Sequence, residues 1–165
     1  MPGFKSYRYT LGALALALLF AGCREESRWD AVQKETQGKK TSVSEDAIPG
    51  KVFNRFFPKQ EEDYKIVFKQ EKPGFAQAAL EKDGDELAMF SIFDTISNPD
   101  ARSKYNNATE HVEGFPVVTD ETKSLSALVG GRFQVQVRSS DPGFGKSLRM
   151  EWLEKFDLKA ISEIE

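Results

Sequence analysis

From Tyr64 onward, apolar and polar positions alternate with the two-residue period of half-buried strands. Tyr64, Ile66 and Phe68 interleave with Lys65 and Lys69 until Lys72-Pro73-Gly74 breaks the run. Residues 75–81 and 86–93 form two more apolar runs around Lys82-Asp83-Gly84-Asp85. An Asp-Gly step between such runs predicts a hairpin, because glycine accepts positive φ without steric cost. The second run is almost continuously apolar, which places it in the middle of a sheet. Asn98-Pro99-Asp100 then carries a helix-start signature: a side-chain cap, a proline in the first turn and an acid that complements the helix dipole. A short helix to about Asn106 is expected. Residues 115–119, 125–129 and 132–138 read as strands, the last two joined by a tight turn at Gly130-Gly131. The final strand puts Phe133, Val135 and Val137 on one face and Arg132, Gln134, Gln136 and Arg138 on the other. Leu148, Trp152 and Phe156, joined by Leu153, repeat at helical spacing. Asp157 is placed to cap a last short helix carrying Leu158, Ile161 and Ile164.

The predicted order is three strands, helix, three strands, helix. Hairpin connections imply antiparallel pairing, so the expected fold is α+β, a mostly antiparallel sheet of about six strands packed against two or three helices over residues 51–165. Most of the 13 phenylalanines lie in this stretch, enough apolar material for one independent core. Residues 24–50 differ. They hold 11 charged residues and only six hydrophobic ones, too few to offset the entropy of ordering. They read as a disordered tether, with Pro49-Gly50 as its boundary and ends roughly 30 Å apart as a flexible chain.

The N-terminus carries the most specific motif. Lys5 and Arg8 precede an apolar run from Leu11 to Phe20 that is half the roughly 20 residues needed to span a bilayer as a helix but long enough for the hydrophobic region of a signal peptide. Phe20-Ala21-Gly22-Cys23 follows and contains the only cysteine. This segment resembles a bacterial lipoprotein signal. The resemblance implies cleavage between Gly22 and Cys23, a diacylglycerol on the Cys23 thiol and acylation of the new amine. It further implies a signal peptide over 1–22, a lipidated tether over 23–50, and a domain held on a membrane of the cell envelope, facing the periplasm. Arg24 in place of aspartate implies passage to the outer membrane. One acyl chain anchors only reversibly, since each buried CH₂ contributes about 0.8 kcal/mol, whereas two or three hold firmly.

Charge and composition narrow the function. The net charge is −3, and −5 once Lys5 and Arg8 leave with the signal, which disfavours nucleic acid as a partner. One cysteine and one histidine leave no intramolecular disulfide, no thiolate metal cluster and no site needing two imidazoles, so no metal and no cofactor are expected. Gly145-Lys146-Ser147 ends like a phosphate loop, but the position that requires the first glycine is Ser140, and Pro142 removes a backbone donor. A turn followed by a helix start accounts for it better. His111 lies in a polar stretch, residues 110–114, read as a solvated loop with no nucleophile placed beside it. Asp83, Asp85 and Glu86 lack the spacing of a calcium loop and fit a charged hairpin turn. Asn107-Ala108-Thr109 matches a glycosylation acceptor that has little meaning in a bacterial envelope.

Two features remain as candidate partner surfaces. In residues 51–59, Phe53, Phe56 and Phe57 interleave with Lys51, Arg55 and Lys59, a pattern suited to a membrane interface or a docking partner. The same phenylalanines covering an edge of the core is the competing and favoured reading, because a small domain needs its aromatics for stability. The second is the polar face Arg132, Gln134, Gln136 and Arg138, for which a solvated sheet face is the plainer account. The globular part resembles small lipoproteins of unassigned role of cyanobacterial type, and its element order, with its Asn-Pro helix start and a C-terminal helix bearing Trp152, resembles the antiparallel sheet-and-helix domain of PsbP-like proteins. Some PsbP-like proteins are lipid-anchored assembly factors of photosystem II. That resemblance carries over no functional residue, and of the family's metal-binding histidines only His111 has a possible counterpart. Together these readings imply a lipid-anchored envelope protein with a non-catalytic domain serving as an assembly, scaffold or accessory subunit for a protein partner. A carrier of a small apolar ligand or a cell-wall or lipid hydrolase are the alternatives.

Overall fold

A computed structural model describes residues 43–61, 63–120 and 123–165. Seven strands form one sheet: β1 Lys65–Lys72, β2 Phe75–Lys82, β3 Asp85–Asp94, β4 Glu110–Val112, β5 Phe115–Asp120, β6 Ser124–Val129 and β7 Phe133–Ser139. Their spatial order is β1-β2-β3-β7-β6-β5-β4, and every pairing is antiparallel. Two hairpin meanders, β1-β2-β3 and β4-β5-β6-β7, are therefore joined through β3 and β7. The near-continuous apolar run of β3 does lie inside the sheet, between β2 and β7. Hairpin turns follow glycine: Asp83-Gly84, Glu113-Gly114 and Gly130-Gly131 all have positive φ at both positions, as type I′ turns require.

One face of the sheet is covered by α1, Lys146–Glu154, α2, Leu158–Ser162, and a 3₁₀ helix, Gly50–Phe56. The core between these layers is aromatic. Phe90 stacks at a tilt on Trp152, with centroids 5.6 Å apart, and meets Phe156 edge-on at 5.5 Å, while Phe53 packs edge-on against Phe133. Ala76, Ala78 and Ala88 leave room for these rings close to the backbone. Asp157 caps α2 as expected, its side chain accepting from the Ala160 amide at 3.1 Å.

Four departures from the sequence reading have physical causes. The polar stretch 110–114 is no loop: it contains β4 and its turn, three residues too short and too polar to show a period. The helix after Asn98 is a 3₁₀ helix, Pro99–Tyr105, and the Asn98 side chain makes no cap bond. On α1 the buried face is Arg149, Trp152 and Leu153, whereas Leu148 stays exposed. Folded structure also begins before Pro49-Gly50. The Ser44 amide donates to Ser97 Oγ, the Ile48 amide to Asp94 Oδ2, and the Gly74 amide to the Ile48 carbonyl.

Candidate functional site

Each candidate surface residue has a definite place. Phe53, Phe56 and Phe57 are buried in the core, so the partner-surface reading of this segment is corrected to the core reading. The cause is the turn geometry of the 3₁₀ helix, which brings residues three apart onto one face. Phe53 and Phe56 share that face, and Phe57 folds in against Phe156 and Phe68. Arg55 is exposed, like Lys51 and Lys59, with its guanidinium 4.6 Å above the Phe56 ring. Cys23, Gly22 and Arg24 lie outside the described residues.

Arg132 leaves the polar face to do structural work. Its Nε donates to Asp94 Oδ1 at 2.9 Å and its Nη2 to Asp94 Oδ2 at 2.8 Å, a bidentate pair, and Nη2 also reaches the Asp46 carbonyl. Asp94 has no exposed side-chain surface and further accepts from the amides of Ile48 and Ile96. Burial pushes the Asp94 carboxyl up, but the hydrogen bonds from Arg132 and the two amides outweigh it and hold the group below its ordinary value. The cluster ties together the N-terminal segment, the end of β3 and the start of β7. Sequence spacing could not pair residues 38 apart.

The remaining three residues stay on the face opposite the helices. Register sets Gln134 between Phe93 and Leu128, Gln136 between Ser91 and Ser126, and Arg138 between Met89 and Ser124. Beyond β3, on the same face, Phe75 packs edge-on against Phe93 with centroids 6.2 Å apart, and Gln77 stands opposite Ser91. Phe75, Phe93, Met89, Leu128 and both glutamines are half-buried. The 3₁₀ helix Pro99–Tyr105 borders this strip on the β6 side, where the Tyr105 hydroxyl donates to Ser126 Oγ at 2.8 Å. Sequence reading missed the apolar neighbours because they belong to other strands and only the strand order brings them together.

A second feature lies at the start of α1. A cleft of about 290 Å³ opens between the β7–α1 loop and Lys123, lined also by Ser139, Asp141, Lys146 and Arg149. Other clefts, of about 390 and 420 Å³, lie around α2 and are open to solvent. His111 is exposed on β4. Among the described residues, no group of three or more histidine, cysteine, aspartate or glutamate side chains is placed to hold a metal ion, and no helix is long and apolar enough to cross a membrane.

The fold and the strip define a class: a two-layer α+β domain with one sheet face covered by helices and the other, among the described residues, carrying a half-buried strip over β2, β3 and β7. Comparison with family models, with curated proteins and with solved structures finds no match for this chain.

Proposed function

We propose that this is a lipid-anchored protein of a bacterial envelope whose domain works by binding a protein partner, as an assembly, scaffold or accessory subunit, through the β2-β3-β7 face. The observation that carries the reading is the composition of that face. In a chain with 30% charged residues, the strip around Gln77, Ser91, Gln134 and Gln136 is flanked by Phe75, Phe93, Met89 and Leu128 and bears Arg138 as a charge at its end. Protein interfaces are depleted of charge and enriched in aromatic residues and methionine at their centres, which is the pattern here. An anionic membrane surface would instead select for a cationic face. What favours binding at the surface over carriage of an apolar ligand inside is the filled space between sheet and helices, where Phe53, Phe90, Trp152 and Phe156 meet ring to ring.

The anchor supplies the location. A lipidated Cys23 keeps the domain at the membrane. Two measurements test the two halves. Mass spectrometry of the membrane-extracted protein is expected to find an N-terminal lipidated Cys23, and Cys23→Ser is expected to move the protein to the soluble fraction. Affinity purification from native membranes is expected to yield a stoichiometric protein partner that Gln136→Lys, a new charge in the middle of the strip, releases. A partner retained by Gln136→Lys and by Gln134→Lys would overturn the assignment of the face.

A further inference from the structure

The cleft at the start of α1 contains a cation with no counterion among the described residues. Arg149 is 4% exposed, and its Nη1 donates to Ser139 Oγ at 2.8 Å and to the Phe144 carbonyl at 3.2 Å. Its Nε has no acceptor, and among the described residues no carboxylate pairs with it. A guanidinium withdrawn from water is costly unless an anion and a full set of acceptors meet it. Both acceptors that it does have are neutral.

The surroundings are built to supply the missing charge from outside. No side chain caps α1, and its N-cap, Gly145, has extended backbone, so the first amides of the nine-residue helix have neither intrahelical nor side-chain acceptors. The positive end of the helix dipole faces the same region. Lys123 and Lys146 line the cleft as exposed side chains, the latter paired with Glu110 at 2.5 Å. One carboxylate, Asp141, also lines the cleft, where its Oδ1 accepts from the Gly143 amide at 2.6 Å. Glu86 accepts from the lining Ser140 hydroxyl at 2.7 Å, so with Glu110 on Lys146 the carboxylates at the rim are engaged by other groups, and Arg149 is left without one.

We propose that this cleft binds a phosphate-class oxyanion, free or as the monoester of a small molecule, seated between the α1 amides, Lys123 and Lys146 and offsetting the charge of Arg149. Helix amides together with a guanidinium suit a tetrahedral oxyanion, which offers several acceptor oxygens at once. The volume, at the low end for small-molecule sites, admits the phosphate and a small organic group. This is no nucleotide loop: Ser140 stands where the first glycine is needed and Pro142 lacks an N–H, so the phosphates of a nucleotide could not be wrapped by backbone. The site is independent of the partner face on the far side of the sheet.

Isothermal titration of the full chain in mild detergent with inorganic phosphate, at ionic strength matched with chloride, is the test. Saturable binding of phosphate is expected, and it should weaken by about a hundredfold in Lys123→Ala/Lys146→Ala, about tenfold for each charge-assisted bond removed. Both lysines are exposed, so this variant keeps the fold, which circular dichroism checks. Arg149→Lys, which preserves the charge but not the fork, should bind more weakly than the parent. Glycerol 3-phosphate, the soluble form of a phospholipid headgroup, distinguishes the source: tighter binding than inorganic phosphate points to an ester, equal binding to the free ion. No heat beyond the chloride control, or equal affinity in the double-lysine variant, would overturn the proposal.

Discussion

Asp94 shows how much a single buried carboxylate can organise. It accepts hydrogen bonds from Arg132 and from the amides of Ile48 and Ile96, so removing it strands a guanidinium and two amides together. Asp94→Ala is expected to cost about 3 kcal/mol, at the low end for a broken buried pair because Arg132 keeps some contact with water, and urea titration measures it. Because the folded carboxyl titrates below its ordinary value of 3.8, its contribution is complete above that pH and is lost as the pH falls through the lower, folded value. The stability of Asp94→Asn should therefore change less with pH below about 4 than that of the parent. Tyr105 gives the opposite case. Burial pushes its phenol up to about 12, against a smaller downward pull from Ser126. The folded state holds this proton more tightly, so stability from this group is complete below pH 10 and is lost as the pH rises toward 12. Ultraviolet titration should show a late-titrating component that disappears in Tyr105→Phe, a variant expected to lose about 1 kcal/mol.

Among the elements, the 3₁₀ helix Gly50–Phe56 explains why an aromatic, cationic segment belongs to the core. Its first residue passes so close to the β1–β2 turn that a Cβ at Gly50 would fall on the Phe75 carbonyl and within 2.5 Å of the Lys72 carbonyl. Those are backbone atoms that cannot rotate away. Gly50→Ala is expected to cost about 3 kcal/mol, measured by thermal or urea unfolding, even though alanine is the mildest side chain available. Gly84→Ala sits in open space and meets only the strain of a φ of +94°, so it should cost less. The hairpins at Asp83-Gly84 and Gly130-Gly131 were legible in the sequence because each turn is decided by two adjacent residues. The turn at Glu113-Gly114 was not, since Glu113 is an unusual residue to adopt positive φ and β4 has only three residues. Likewise the α1 stripe read Leu148 as buried where Arg149 is. Hydrophobic periodicity assigns a face by polarity, and Arg149 is turned inward by its bonds to Ser139 and Phe144.

At the scale of the whole molecule, the folded part extends beyond the stretch that its apolar composition marks. Ser44, Asp46 and Ile48 make hydrogen bonds to Ser97, Arg132, Asp94 and Gly74 through their backbone groups, which carry no compositional signal. A chain starting at residue 43 should accordingly be more stable than one starting at residue 50, by about 2 kcal/mol for four such bonds less the entropy of ordering the segment. Comparing the two unfolding midpoints checks this. Local chemistry in the sequence was sufficient for the antiparallel α+β class, the central position of β3 and the Asp157 cap, because periodicity and turn residues act over a few neighbours. The pairing of Asp94 with Arg132, the burial of Phe53, Phe56 and Phe57, the apolar company of Gln134 and Gln136, and the unmatched charge of Arg149 were decided only by the tertiary structure. Each depends on strands and loops distant in the chain meeting at one place, and nothing in a linear pattern encodes who a residue's neighbours will be once the sheet has closed.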